Sequence, residues 1–204
     1  MPGLILRLVP ALALLVALAG CGKSPQLAPL APDAVVLAFG DSLTHGTGAS
    51  TAESYPAQLA SLIGRRVVNE GVPGEVSAAA LARLPGALET HAPKLLILCI
   101  GGNDFLRNLG LSSAERNVRE MVRLARERGV DVVLIGTPQK GITVTPPGFY
   151  ADIAAAFRIP YEGKVLGQVL RDSALKSDPI HPNAQGYRLI AERVAELLRD
   201  AGAL

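Results

Sequence analysis

From residue 35 onward, short uninterrupted apolar runs alternate with longer stretches whose apolar residues recur every three or four positions. The uninterrupted runs read as strands buried on both faces, and the 3.6-residue pattern as helices with one face in a core. Strands are predicted over 35–39, 66–69, 94–100 and 130–136, with a short fifth over 159–161. Helices are predicted over 54–63, 77–91, 113–128, 164–171 and 183–201. The second of these is expected to break near Pro85 and Gly86, because proline removes a helical hydrogen bond. The closing helix carries Leu189, Ile190, Val194, Leu197 and Leu198 on one face. Residues 137–148 hold three prolines and two glycines and read as a loop, before a short Ala-rich helix. Strands alternating with helices imply an α/β fold, a parallel sheet covered on both sides. The active site of such a sheet lies beyond the carboxyl ends of its strands.

The first 33 residues follow a different pattern. Residues 1–20 carry one charged side chain, Arg7, then an apolar run over 8–19 that is short for a bilayer and closes in small residues. Leu18-Ala19-Gly20-Cys21 resembles the bacterial lipoprotein signal, in which the cysteine is acylated and becomes the new N-terminus. Lipidation of Cys21 is therefore expected, the alternative being an ordinary secretory signal that contains a cysteine. Residues 21–33, with Pro25, Pro29 and Pro32, read as an extended tether that holds a domain of residues 34–204 off the membrane. Gly22 stands where an inner-membrane retention signal has Asp, so the resemblance implies a periplasm-facing, outer-membrane location.

Composition adds exclusions. A length of 204 residues favours one domain, and the 49% hydrophobic content is raised in part by the N-terminal run. The net charge of +2 is spread over interspersed signs, which leaves no footprint for nucleic acid. The arginines at 116, 119, 123, 126 and 128 are offset by Glu115, Glu120 and Glu127 and read as a solvated helix face. Of the two cysteines, Cys99 lies in an apolar run, so a buried inert thiol and no disulfide are expected. The expected state is a monomer.

Three polar or glycine-rich clusters fall after three consecutive predicted strands, and a fourth opens the last helix. They are Gly40-Asp41-Ser42-Leu43, Asn69 to Gly74, Gly101-Gly102-Asn103-Asp104, and Asp178-Pro179-Ile180-His181-Pro182. Singly, each has an ordinary structural explanation as a turn, a strand end or a helix cap. Together they supply what ester cleavage needs: a nucleophile, a base within reach of it, and donors for the oxyanion. The chain has three histidines. His91 precedes strand three, on the side away from the strand ends. His45 shares the loop of Ser42 but has no carboxylate arrangement beside it. His181 has Asp178 three residues earlier in a proline-stiffened turn, so Asp178 can hold Nδ1 while Nε2 faces outward, which makes His181 the candidate base for Ser42. One placed histidine and no Cys/His cluster make no zinc site, and Gly40, Gly46 and Gly48 have the wrong spacing for a dinucleotide loop. No metal or other cofactor is expected.

These blocks resemble the SGNH-hydrolase superfamily, the GDSL esterases and lipases. The resemblance implies a three-layer α/β/α flavodoxin-like fold with a central, mostly parallel five-stranded sheet. It implies Ser42 as nucleophile and Asp178 and His181 as acid and base. It also implies an oxyanion hole from the N–H of Ser42, the N–H of Gly74 and the side-chain amide of Asn103, with Gly71 competing for the glycine's place. Leu81-Ala82-Arg83-Leu84-Pro85, His91-x-Pro93 and Gly101 through Arg107 are similar to the bacterial thioesterase I and arylesterase subfamily. Its members are periplasmic and cleave acyl thioesters, lysophospholipids and aryl esters. The chain departs from that subfamily over 137–163, which is compact where relatives carry a longer stretch lining the acyl site. An O-acetylesterase acting on cell-wall carbohydrate is the nearer alternative function, and a non-catalytic surface lipoprotein the more distant one.

Overall fold

The computed structural model describes residues 25–139 and 144–204. The expected targeting segment and Cys21 lie outside the described residues. Strands are β1 (Val35–Gly40), β2 (Arg66–Gly71), β3 (Leu95–Cys99), β4 (Asp131–Ile135) and β5 (Tyr161–Glu162). Helices are α1 (Ser42–His45), α2 (Tyr55–Ile63), α3 (Ser77–His91), α4 (Gly102–Leu106), α5 (Leu111–Glu127), α6 (Phe149–Phe157), α7 (Val165–Arg171) and α8 (Ala184–Asp200).

All five strands are parallel, in the order β2-β1-β3-β4-β5. Alternate strand residues face opposite ways, as a period of two requires. Val36, Ala38, Leu95 and Ile97 meet Leu59 of α2 and Ile190 and Val194 of α8. Leu37, Phe39, Leu96 and Leu98 meet Leu84 of α3, Met121 of α5 and Ile153 of α6. The result is the expected three-layer α/β/α arrangement. The chain runs outward from β1 to β2 and then crosses back to β3, so the strand order reverses beside β1 and a crevice opens between β1 and β3. Register sets Gly40 level with Gly71 on one side and Cys99 on the other, so the clusters that follow all three strands emerge at one edge.

The arginine-rich face of α5 is solvated. It carries Arg119–Glu115, Arg123–Glu120 and Arg123–Glu127 pairs outside a buried stripe of Val118, Met121, Val122 and Ala125. Such pairs contribute little to stability. Cys99 is buried and unpaired among the described residues, and burial pushes its thiol well above the ordinary range.

Three local expectations are corrected. Helix α3 is continuous through Pro85, because Ala80, Leu84 and Leu88 anchor one stripe in the core. The carbonyl that Pro85 leaves unbonded belongs to Leu81, on the partly exposed face where water can reach it. The fifth strand starts at Tyr161 rather than residue 159, since Pro160 has no N–H to donate and only its carbonyl joins the ladder, accepting from Leu134. The third concerns the tether. From Leu27 on it is part of the packed domain: Leu27 and Leu30 are buried in the core, and their N–H groups donate to the carbonyls of Ala201 and Ala203, both at 2.9 Å.

Candidate active site

Ser42 opens α1 immediately after β1. Asp41 caps that turn, its Oδ1 accepting from the N–H of Leu43 at 3.0 Å. As a first-turn residue, Ser42 has an N–H with no helical carbonyl to pair with. From the opposite side of the sheet edge, Tyr187 of α8, fully buried, donates its hydroxyl to the carbonyl of Thr47 at 2.8 Å and pins the chain that follows Ser42.

His181 arrives on a closed turn between α7 and α8. Lys176 and Pro182 form an antiparallel bridge, and the N–H of Ser177 donates to the carbonyl of His181. Within the turn, Asp178 Oδ1 accepts the N–H groups of Ile180 (2.8 Å) and His181 (2.9 Å), while Oδ2 lies 2.7 Å from His181 Nδ1. A single carboxylate thus folds the turn and orients the imidazole. His181 Nε2 lies 3.0 Å from Ser42 Oγ. Partial burial raises the Asp178 carboxyl, but hydrogen bonds from His181 and from two backbone N–H groups outweigh it and hold the group below its ordinary value. Asn183 then caps α8, accepting from Gly186 at 3.0 Å.

On the other flank, the side-chain amide of Asn103 in α4 donates to the carbonyl of Glu75 (3.0 Å) and to Asp41 Oδ2 (3.3 Å). Asp104 is buried and turns the other way, accepting from Ser77 N–H at 2.8 Å and Ser77 Oγ at 2.6 Å, which ties α4 to the start of α3. Gly74 lines the same cavity as Ser42, Asn103 and His181. Its φ of +77° lies in the left-handed region that favours glycine, and Arg107 holds its carbonyl at 2.7 Å. Gly71 is otherwise employed: its N–H donates to Asn69 Oδ1, and a β-carbon there would collide with the backbone of His45. Between the two glycines, the one at the cavity is Gly74.

The other histidines are apart from this cluster. His91 pairs with Glu70 at 2.8 Å, and Glu70 also meets Arg83, whose guanidinium lies over the Phe39 ring. His45 contributes its backbone carbonyl to Asn69. Sequence reasoning gave no role to Asp41, Glu75, Asp104, Arg107 or Tyr187. Asp41 stands inside the Gly-Asp-Ser-Leu block, so its place in the motif was a signal. Asp104 and Arg107 likewise stand in the block from Gly101 to Arg107, whereas Glu75 and Tyr187 act through contacts far apart in sequence that no local pattern reveals. Asp41 is 1% exposed, and burial pushes its carboxyl up to about 7 against the lowering effect of the Leu43 N–H.

Ser42 and His181 border a cavity of about 300 Å³ walled by Leu106, Pro138, Val144, Leu170 and Ile180. A serine hydroxyl against an imidazole backed by a carboxylate, with amide donors opposite and an apolar recess beside it, can carry out acyl transfer.

Comparison with known proteins agrees. Residues 38–189 match the GDSL-like Lipase/Acylhydrolase family. The esterase TesA of Pseudomonas aeruginosa is 28% identical over 201 residues, covering 89% of this chain and 96% of that protein. Thioesterase 1/protease 1/lysophospholipase L1 of Escherichia coli K12 is 28% identical over 172 residues, covering 80% of this chain and 83% of that protein. A crystal structure of TesA superposes with a TM-score of 0.72 at 27% identity, over 82% of this chain and 99% of the other. The chain belongs to the GDSL-like lipase/acylhydrolase family and is a serine ester hydrolase.

Proposed function

We propose that Ser42 is the nucleophile of an acyl-transfer reaction with His181 as general base, acting on esters or thioesters with an apolar acyl group. The observation that carries this reading is the chain of short contacts from Asp178 through His181 to Ser42 Oγ, beside an apolar recess. Ser42 Oγ attacks the acyl carbon while His181 Nε2 takes its proton. The resulting oxyanion is met by the N–H groups of Ser42 and Gly74 and by the Asn103 amide. Collapse expels the alcohol or thiol, which leaves with the proton from His181, and the acyl group stays on Ser42. Water, deprotonated by His181, then repeats the attack and releases the acid. Asp178 stays ionised, holding the tautomer and balancing the imidazolium, which its lowered carboxyl favours.

The apolar walls suit an acyl chain better than a carbohydrate hydroxyl, and the relatives named above are esterases and thioesterases. A p-nitrophenyl ester series from acetate to palmitate, run beside lysophospholipid, tests the substrate class: rates that rise with chain length support it, and activity confined to acetate overturns it. Ser42→Ala is expected to lower kcat about 10⁶-fold. Unchanged activity in that variant overturns the nucleophile assignment.

The same reading includes an envelope location. Leu18-Ala19-Gly20-Cys21 supports cleavage before Cys21 and attachment of a diacylglyceryl group to its sulfur as a thioether, which leaves a monomeric, periplasm-facing domain anchored in the outer membrane. Mass spectrometry of the N-terminal peptide of the membrane-purified protein checks it. A diacylglyceryl mass on Cys21 supports the anchor, and an unmodified or uncleaved N-terminus overturns it.

A further inference from the structure

We infer that the anchored enzyme turns its catalytic cleft away from the leaflet that holds it, and therefore acts on acyl esters arriving through water rather than on esters packed in its own leaflet. This rests on the lipid-anchor reading above. The orientation itself comes from where the N-terminal segment joins the domain.

Helix α8 spans the molecule from one pole to the other. It begins at Ala184, three residues after His181, and ends at Asp200. Its 17 residues make a rod of about 25 Å at 1.5 Å per residue. The N-terminal segment is stitched to the far end of this rod. Leu27 donates to Ala201 and Leu30 to Ala203. The N–H of Ala28 donates to Asp131 Oδ2 at the first residue of β4, and Arg65, just before β2, donates to the carbonyl of Leu30 at 3.2 Å. Pro25 and Gln26 share a groove with Pro160, Leu197 and Ala201, again at the end where strands begin. Ser42, by contrast, lies past the carboxyl end of β1, whose six residues run about 20 Å along the same dimension.

Only four peptide steps separate Cys21 from Pro25. Fully extended, they reach about 14 Å. A lipid on Cys21 thus keeps the strand-start pole within that distance of the bilayer, too short to let the domain invert and lower the cleft onto the same surface. A longer reach needs residues 27–30 to detach, and that exposes Leu27 and Leu30, each 8% exposed in the fold. At the outward pole, the exposed side chains Leu106 and Ile180 line the cavity. They offer apolar cover to the acyl chain of an ester that comes from the aqueous side.

The test uses the lipidated protein purified from membranes and reconstituted in phosphatidylcholine vesicles, beside a variant with twenty Gly/Ser residues inserted between Ser24 and Pro25. An insert of that length has a root-mean-square span of about 25 Å and a much greater full reach. Two substrates are compared: p-nitrophenyl palmitate embedded in the same vesicles and p-nitrophenyl butyrate in solution. The insertion is expected to raise the rate on the embedded ester at least tenfold and to leave the soluble ester unchanged. Equal rates on the embedded ester for both proteins, with Cys21 shown by mass spectrometry to be acylated, overturn the orientation and leave the anchor reading standing. An unacylated Cys21 overturns both together.

Discussion

On one flank of Ser42, Asp178 and His181 hang from a turn whose hydrogen bonds run mostly within itself. On the other, Asn103 is fixed by groups from distant parts of the chain: Asp41 after β1, Glu75 before α3, and Ser77 through the neighbouring Asp104. The burial of the two flanks differs in the same sense. The Asp178 side chain is 44% exposed, whereas Asp41 and Asp104 are 1% and 2% exposed. A local Asx turn can stay ordered in water because its donors lie two and three residues away. The Asn103 flank is ordered only because the sheet and α3 bring its parts together, so there the wall of the cavity and the stability of the fold share the same bonds.

That contrast can be broken most severely at His181. His181→Ala is expected to lower kcat about 10⁶-fold while shifting unfolding free energy by less than about 1 kcal/mol, read by ester hydrolysis and urea titration. A large loss of stability would erase the distinction between the flanks.

Asp41 tests the buried side through pH. Its folded carboxyl is raised to about 7 from an ordinary value of 3.8. Between those values the folded state keeps a proton that the unfolded chain has released, so stability falls as pH rises through the window and levels off above 7. The full difference is about 4 kcal/mol. Asp41→Asn removes that slope, and the unfolding free energies from urea titration at pH 4.5 and 8 should lie closer together in the variant than in the parent by about 3 kcal/mol. An unchanged pH dependence would show that Asp41 ionises as an exposed carboxylate does.

Asn103→Ala is expected to show both effects at once: a fall of about 10²–10³ in kcat with KM little changed, and a loss of about 1–2 kcal/mol because Asp41 and the Glu75 carbonyl lose a donor. The smallest effect is expected at Ser77→Ala. It removes one hydroxyl from Asp104 and should cost about 1 kcal/mol in urea unfolding, with kcat reduced only severalfold because α4 shifts slightly.

The Asp178–His181 pair was legible for the same reason that it tolerates exposure: three-residue spacing with a proline is a local property, visible along the chain. Strands β1, β3 and β4 were legible as apolar runs, and α5 and α8 as amphipathic stripes. The competition between Gly71 and Gly74 was not decidable, since both are glycines near the end of β2. It took the φ of Gly74 and the crowding of Gly71 against His45 to separate them. Pro85 misled because proline disfavours a helix locally, whereas burial of Ala80, Leu84 and Leu88 acts over the whole helix and prevails. Leu27 and Leu30 look like part of a tether in the sequence because proline-rich surroundings favour an extended chain. Their burial depends on the end of α8, some 170 residues away.

The sequence by itself determined the alternation of buried strands and one-faced helices, the four clusters at their ends and the local turn that carries His181, because each follows from residue type and short spacing. Tertiary structure alone decided which edge of the sheet unites them, that Asp41 is sealed off with a raised carboxyl, which glycine faces the cavity, and that the N-terminal segment fastens to the opposite pole. Those outcomes depend on strand order and on hydrogen bonds between residues far apart in the chain, and no local pattern encodes them.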